Sequence, residues 1–366
     1  MIRILICSVG SLVGQNLLDA LETRRQGLRL IGINSVAANP QNFRCDAAYL
    51  APPTAETMAY EAFLLDLLAR EQPDLILSGR DQDTLFLTAF RERFPAFTAR
   101  IPYASAALAQ MSFDKWQTCQ FALSQGLAFA RTLLARASQP APLEAFCREV
   151  GFPLVAKPLR DSDAAAVRVI RQPAELERLL AVEPELLLQE YLGDPAPLLQ
   201  ALAGLEPAPP LFYQAPDTWH CSCQTVVTGP ELVAPVFCSF DRHLQGRTEC
   251  FEPYADPALA ELARNYALAF AAAGGIGPFN VQCRRDRRGR WKALAINLRQ
   301  GGNTFSRLQC GYDELGLLIS TFAPGLDFPV IATAPESRGK VLKTQRNWFV
   351  PDRWIEELEQ GSWAQN

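Results

Sequence analysis

Lys157 closes a run of apolar residues, Leu154-Val155-Ala156-Lys157, opened by Gly151-Phe152-Pro153 and broken by Pro158. An ammonium buried in such a strand without a partner is costly. A phosphate group would supply the partner, and an edge-strand lysine reaching out to solvent is the alternative. The chain holds only two histidines, His220 and His243, so chemistry that needs a histidine base or several histidine ligands is disfavoured. Its ten cysteines lack the spacing of a metal site or a disulfide framework. Cys221 and Cys223 fall on one face of a strand, as a metal-binding pair or as two packed thiols.

The elements that must position these residues follow from hydrophobic spacing. Ile2 to Cys7, Leu28 to Ile33 and Asp74 to Leu77 read as buried strands, separated by helical patterns at Val13, Leu17, Ala20, Leu21 and at Tyr60, Phe63, Leu64, Leu67. This βαβαβ rhythm predicts a parallel, doubly wound sheet with its ligand loops at Ser8–Gly14 and Ser78–Asp83. The first loop has two glycines without the full dinucleotide spacing, and Asn34 stands where a ribose-binding acid is expected. A tight strand-to-helix turn competes with a nucleotide loop there, and a nicotinamide oxidoreductase is disfavoured.

A second unit is expected from about Met111, with Ser112 capping a helix through Lys115, Thr118 and Ala122 that stops at Gly126. Strands follow at Leu154–Lys157, Val167–Ile170 and Leu186–Glu190, then a proline-rich insertion over 193–216. Asp256-Pro257 opens a further helix, ended by Gly274-Gly275. Phe279–Cys283 and Lys292–Asn297 form a strand pair around the basic turn 284–290. Pro335–Asn366 reads as a polar terminal arm carrying Trp348, Trp354 and Trp363.

In this order the motifs resemble the ATP-grasp superfamily, specifically stand-alone relatives of the large subunit of carbamoyl-phosphate synthase. Asp114-Lys115 with Thr118 resembles the opening helix, and Gly151–Pro158 the phosphate-binding strand. Leu188-Gln189-Glu190-Tyr191-Leu192 resembles the adenine hinge. Gly277–Gln282 and Ile296-Asn297-Leu298-Arg299 resemble the metal and γ-phosphate region.

The resemblance implies an α/β (α+β) ATP-grasp fold. It divides the chain into a Rossmann-like pre-ATP-grasp domain over 1–110, a small lobe over 111–182, a large lobe over 183–330 and an arm over 331–366. It implies ATP and magnesium as cofactors. Lys115 and Lys157 would meet the phosphates, Gln189, Glu190 and Leu192 the hinge ligand, and Gln282 and Asn297 the metal. Arg299 would act at the transferring phosphoryl, whose planarity suits a guanidinium, with a structural ion pair as the alternative. Arg80, Arg242, Arg247 and Arg307 would face the substrate, with surface charge as the alternative.

Two elements depart from the family pattern. The loop after Pro158, Leu159-Arg160-Asp161-Ser162-Asp163-Ala164-Ala165-Ala166, has no glycine, and its two aspartates would repel a triphosphate. Ala295 stands where the family has a metal-binding glutamate, which leaves a weakened magnesium site. Leu298 replaces a proline. A third acid in the pocket, Asp286, Glu249 or Glu252, is the candidate substitute for the missing carboxylate.

Two functions follow from these features. One is a ligase that joins a small carboxylate to an amine through an acyl-phosphate. The other is an inactive pseudo-ligase that binds a small molecule or a partner enzyme. A net charge of −4 gives no case for nucleic acid, and no apolar run is long enough to span a membrane. The apolar start is too short for a signal peptide, so reduced thiols and a cytoplasmic location are expected. A homodimer is the expected assembly by resemblance.

Overall fold

The computed structural model describes all residues except 160–165, 210–217, 231, 245–246, 332–338, 345 and 366. The chain opens with β1 (Ile2–Ile6), α1 (Leu12–Glu22), β2 (Leu28–Asn34), β3 (Ala47–Leu50), α2 (Thr57–Glu71), β4 (Leu75–Leu77) and α3 (Asp81–Arg93). The four strands pair in parallel in the order β3-β2-β1-β4. Both faces of β1 are buried, as a parallel sheet requires. Ile4 and Ile6 pack with Leu17 and Leu18 of α1, while Leu5 and Cys7 pack with Leu64 and Leu67 of α2. The strand order reverses between β1 and β4, so their following loops flank the crevice where such sheets bind ligands.

Two helices lead onward, α4 (Ala106–Phe113) and α5 (Lys115–Ser124). Asp114, not Ser112, caps α5: its Oδ1 accepts from the backbone N–H of Trp116 at 3.0 Å and of Gln117 at 3.1 Å. Ser112 lies inside α4, as does Met111. The shift follows from charge, because a carboxylate at a helix N-terminus gains from the dipole as well as from the bonds.

A four-stranded antiparallel sheet comes next, built from β5 (Thr132–Arg136), α6 (Pro140–Val150), β6 (Leu154–Lys157), β7 (Arg168–Ile170), α7 (Pro173–Val182) and β8 (Glu185–Glu190), in the order β5-β8-β6-β7. After α8 (Ala196–Ala201), the large antiparallel sheet forms from β9 (Thr218–Gly229), β10 (Leu232–Val233), β11 (Phe237–Leu244), β12 (Arg247–Pro253), α9 (Pro257–Ala272), β13 (Gly277–Arg285) and β14 (Trp291–Asn297). Its order is β14-β13-β9-β11-β12, with β10 paired to β9.

Alternation along these strands separates two faces. Cys221, Cys223, Val281 and Cys283 point into the core beneath Leu259, Ala263, Tyr266 and Phe270 of α9. The Cys221–Cys223 pair is thus packed thiol, and burial raises the pKa of both. Ser222, Asn280, Gln282, Ala295 and Asn297 take the opposite, cleft-facing side.

The chain finishes with α10 (Thr304–Gln309), α11 (Glu314–Phe322), β15 (Val341–Leu342), α12 (Asp352–Glu359) and β16 (Ser362–Ala364). Leu318 and Ile319 of α11 join the α1 face of the first sheet. β15 extends the large sheet at β12, and β16 pairs antiparallel with β3 of the first sheet. Trp363 meets Phe43 edge-on at 5.2 Å between ring centroids, and Trp354 lies 5.2 Å from Trp363. The final segment therefore bridges the two sheets. Among the described residues, no helix is long and apolar enough to cross a membrane.

Candidate active site

A cleft of about 620 Å³ is lined jointly by the loops after β1 and β4, the start of α5, the ends of β6 and β8, the polar face of the large sheet and the 301–303 loop. Eight residues singled out in the sequence meet there: Arg80, Lys115, Lys157, Gln189, Gln282, Asn297, Arg299 and Arg307.

At one end, Lys157 Nζ donates to Gln189 Oε1 at 2.6 Å, and Gln189 Nε2 donates to Thr132 Oγ1 at 3.0 Å. Lys115 Nζ reaches the carbonyl of Pro158 at 3.4 Å. Burial, and then the nearby Lys115 charge, push the Lys157 ammonium down to about 7. Like charges held together in a partly desolvated wall form an anion site. Gln189 is 5% exposed, so the alternative of a surface strand residue is excluded. The other hinge residues lie outside the cleft lining. Glu190 binds Lys292 and the backbone N–H of Arg131 (2.7 Å), and Leu192 is buried in the core under α9.

In the middle of the cleft, Asn297 faces Asn280 across the β13–β14 ladder, and Gln282 faces Ala295. Asn297 Nδ2 donates to Asn280 Oδ1 at 3.4 Å, and Asn280 Nδ2 donates to Ser222 Oγ at 2.8 Å and to the Cys223 carbonyl at 3.2 Å. This amide chain orients Asn297 as an oxygen donor beside Gln282. The residues fit a magnesium ion held mainly by phosphate and water, since two neutral amide oxygens cannot form a full octahedron. Among the described residues, no cluster of three His, Cys, Asp or Glu side chains could hold a metal.

The three acids expected as substitutes for the missing glutamate are engaged elsewhere, outside the cleft lining. Asp286 caps the basic hairpin turn, accepting from Arg290 Nη2 at 2.8 Å and from the N–H of Arg288 at 2.9 Å. Glu249 faces Arg242 at 3.5 Å, and Glu252 pairs with Lys340 at 2.6 Å. The glycine-free segment with Asp161 and Asp163 lies outside the described residues.

Arg299 takes the ion-pair alternative. Its Nε stands 2.7 Å from Asp81 Oδ1, and its Nη2 donates to Asp81 Oδ2 at 2.8 Å. Asp81 opens α3, so the pair joins the loop after β14 to the first sheet. The neighbouring Gln300 repeats the connection, its Oε1 accepting from the Tyr103 hydroxyl at 3.0 Å.

The four arginines expected at the substrate divide. Arg80 borders the cleft with its side chain 44% exposed, and its Nε donates to Ser8 Oγ at 2.9 Å. Ser8 in turn donates to the buried Asp83 at 2.9 Å. Arg307 is 1% exposed and held by Glu314 through Nε (2.8 Å) and Nη2 (3.0 Å), so neither the substrate role nor surface charge describes it. Arg242 lies outside the lining, and the Arg247 side chain lies outside the described residues. Gly14 of the first loop and Gly79 of the second serve close packing: a Cβ on Gly14 would stand 2.3 Å from the Val9 carbonyl oxygen, and one on Gly79 2.5 Å from that of Cys7.

Sequence reasoning passed over Asp241 and Lys343. Asp241 lines the cleft from β11 while only 1% exposed. Its Oδ2 accepts from Asn303 Nδ2 at 3.0 Å. Lys343, just past β15, donates to Asn303 Oδ1 at 2.6 Å and to the Gly302 carbonyl at 2.5 Å. Burial lifts the Asp241 carboxyl to about 6 and lowers the Lys343 ammonium to about 8. The period-two alternation of Cys221, Cys223 and Cys238 against Ser222 and Ser239 could have assigned Asp241 to the polar face.

This architecture, a doubly wound sheet followed by two antiparallel sheets around one polar cleft, is the ATP-grasp fold. Among solved structures, the chain is similar to N5-carboxyaminoimidazole ribonucleotide synthetase from Thermus thermophilus, with 20% identity, TM-score 0.63, and coverage of 93% of this chain and 81% of that one. The synthetase from Staphylococcus aureus, complexed with ADP, gives 14% identity, TM-score 0.66 and coverage of 90% and 78%. An L-amino acid ligase from Bacillus licheniformis gives 13% identity, TM-score 0.62 and coverage of 88% and 74%. A formate-dependent phosphoribosylglycinamide formyltransferase from Methanocella arvoryzae is 24% identical over 164 residues. That match covers 43% of this chain and 34% of the relative, so the chain matches about a third of that protein's length. No family model matches the chain.

Proposed function

We propose that the protein is an ATP-dependent ligase that joins a small carboxylate to an amine in the cleft. The observation that carries this reading is the convergence of Lys115, Lys157 and Gln189 with Gln282, Asn297 and Arg299 on one cavity. The solved relatives, one of them complexed with ADP and one an amino acid ligase, support it.

When bound, ATP with magnesium would supply the phosphoryl group and screen the charge on its β- and γ-oxygens. The chain's own residues would do the rest. Lys157 and Lys115 would bind phosphate oxygens, and Gln189 would hold Lys157 in place. Gln282 and Asn297 would orient the metal through their amide oxygens. Arg299, fixed by Asp81, would stand beside the transfer path. Arg80, the most exposed of the cleft cations, would receive the carboxylate substrate. Attack of the carboxylate on phosphorus releases ADP. Attack of the amine on the resulting acyl carbon then releases phosphate.

Ala295 opposite Gln282 favours a second reading, in which the cleft binds nucleotide without transferring its phosphoryl. A thermal-shift titration with ATP, with and without magnesium, tests the first step common to both. A ligand at 100 times its dissociation constant stabilises by about 2.7 kcal/mol. For a chain this long, that raises the melting temperature by roughly 2–4 °C per kcal/mol. The expected result is a magnesium-dependent rise that disappears in Lys157→Ala. No rise at millimolar ATP would reject nucleotide binding altogether. Release of ADP on adding carboxylate and amine then separates transfer from binding alone.

A further inference from the structure

Asp241 has a carboxylate oxygen with nothing to bind. Its Oδ1 is buried and, among the described residues, has no hydrogen-bond partner. Ser239 lies beside it but donates its hydrogen to the Ser222 carbonyl at 3.1 Å. The two cations that ease its charge act from a distance: Arg307 is bound to Glu314, and Lys343 to Gly302 and Asn303. A buried carboxylate oxygen left unpaired costs more than a bond made and broken in water. Asn303, itself held by Lys343, nevertheless donates to the other oxygen, which fixes the orientation of a carboxylate that lines the cleft.

That place is not the metal position. Gln282 is in register with Ser222, and Ser222 with Ser239; Asp241 lies two residues beyond Ser239. Two strand spacings and two residues separate Asp241 from Gln282 by roughly 12 Å at the backbone. Strand side chains stand roughly perpendicular to the sheet and so keep about that spacing, too wide for two ligands each about 2.1 Å from one magnesium ion. Asp241 instead marks the end of the cleft walled by Gly301, Gly302 and Asn303.

We propose that Asp241 is the binding subsite for the acceptor, and that the acceptor is a primary amine whose ammonium group docks on Oδ1. The assignment rests on the ligase reading for its chemical role, though the docking itself does not. An ammonium supplies the N–H donor that Oδ1 lacks and the positive charge that a buried carboxylate favours. In the reaction, the ammonium gives one proton to Oδ1. The freed lone pair attacks the acyl carbon and the carbon–oxygen bond to phosphate breaks. The departing phosphate carries that electron pair and takes the second nitrogen proton. A carboxyl lifted to about 6 accepts a proton more readily near neutrality than an ordinary one.

The probe is methylammonium chloride, the smallest primary amine of this class, titrated by thermal shift at pH 7.5 against potassium chloride of equal ionic strength. Parallel titrations use Mg·ATP on the same samples. Wild type should be stabilised by methylammonium beyond the potassium control, and Asp241→Asn should weaken that binding at least tenfold while keeping its Mg·ATP shift. The retained nucleotide shift shows that the variant is folded; Asp241→Ser serves if Asp241→Asn is not. A wild type indifferent to methylammonium at 50 mM, an equal response to potassium, or an undiminished response in Asp241→Asn overturns the subsite. Failure of the Mg·ATP shift with methylammonium binding intact rejects the ligase reading and leaves the amine subsite standing.

Discussion

Lys157 Nζ donates to Gln189 Oε1 at 2.6 Å across the small sheet, and Gln189 is anchored in turn by Thr132. The amide orients the ammonium but offers no charge to match it, and Lys115 adds a like charge nearby. A phosphate in the cleft would reverse both deficits.

Nucleotide binding should therefore carry a proton with it. With Lys157 at about 7, most molecules hold it neutral at pH 8. Bound phosphate favours the charged form, so ATP binding at pH 8 should take up about 0.9 of a proton. Calorimetry in two buffers of different ionisation enthalpy reads this directly. Lys157→Met should bind ATP at least tenfold more weakly and lose the uptake. Equal proton uptake in the variant would place the effect on another group.

The cross-strand pair of Gln282 and Ala295 makes a second case. A carboxylate at Ala295 would stand beside Gln282 and near Asn297, on the cleft face of the sheet. Ala295→Glu should tighten Mg·ATP binding at least fivefold while leaving magnesium-free ATP unchanged or weaker, because the added charge repels bare triphosphate. Unchanged affinity with magnesium would remove this account of the metal position.

Much of this frame was legible in the sequence, because each local signal agreed with the tertiary outcome. The apolar β1 and β2 runs, the Asp256-Pro257 start of α9 and the Asp286–Gly289 turn are written in consecutive residues. What the sequence did not show depends on distant partners. Arg299 finds Asp81 at the start of α3, 218 positions away, and no local pattern announces that bond. Arg307, expected to face the substrate with surface charge as the alternative, is instead enclosed by Glu314 of the next helix. β3 was missed because Ala47-Ala48-Tyr49-Leu50 is short and owes its place to β2 and β16. Asp241 was passed over, since its partner Asn303, held in turn by Lys343, lies in later segments.

Asp241 also predicts how stability depends on pH. Arg307 of α10 and Lys343 of the arm face it, with Asn303 as its bonded neighbour, yet burial dominates and raises it to about 6. The folded state therefore binds more protons than the unfolded one between about pH 4 and 6, and this group's contribution falls as pH rises through that window. The loss is on the order of 3 kcal/mol, complete above pH 6 and absent below pH 4. Urea denaturation of wild type and Asp241→Asn across pH 4 to 7.5 isolates it. Relative to the variant, wild type should be most stable at the acidic end. Parallel curves would mean that Asp241 titrates as an ordinary surface acid.

The Asp81–Arg299 pair supplies the last test, because it ties the first sheet to the loop that ends β14. Both side chains are about one-fifth exposed, and the guanidinium meets the carboxylate through two nitrogens. One of these contacts, from Nη2, is a charge-assisted hydrogen bond, and partial exposure screens the pair. A double-mutant cycle with Asp81→Ala and Arg299→Ala should give a coupling energy of about 1 kcal/mol in urea denaturation. Arg299→Lys keeps the charge and loses the planar guanidinium that places Nη2 on Asp81, so it should recover less than half of that coupling. Single substitutions that add within about 0.3 kcal/mol would show that the pair does not hold the two units together. With coupling present, Asp81→Ala should also weaken Mg·ATP binding through a misplaced Arg299, and Arg299→Ala should add little further loss in that background.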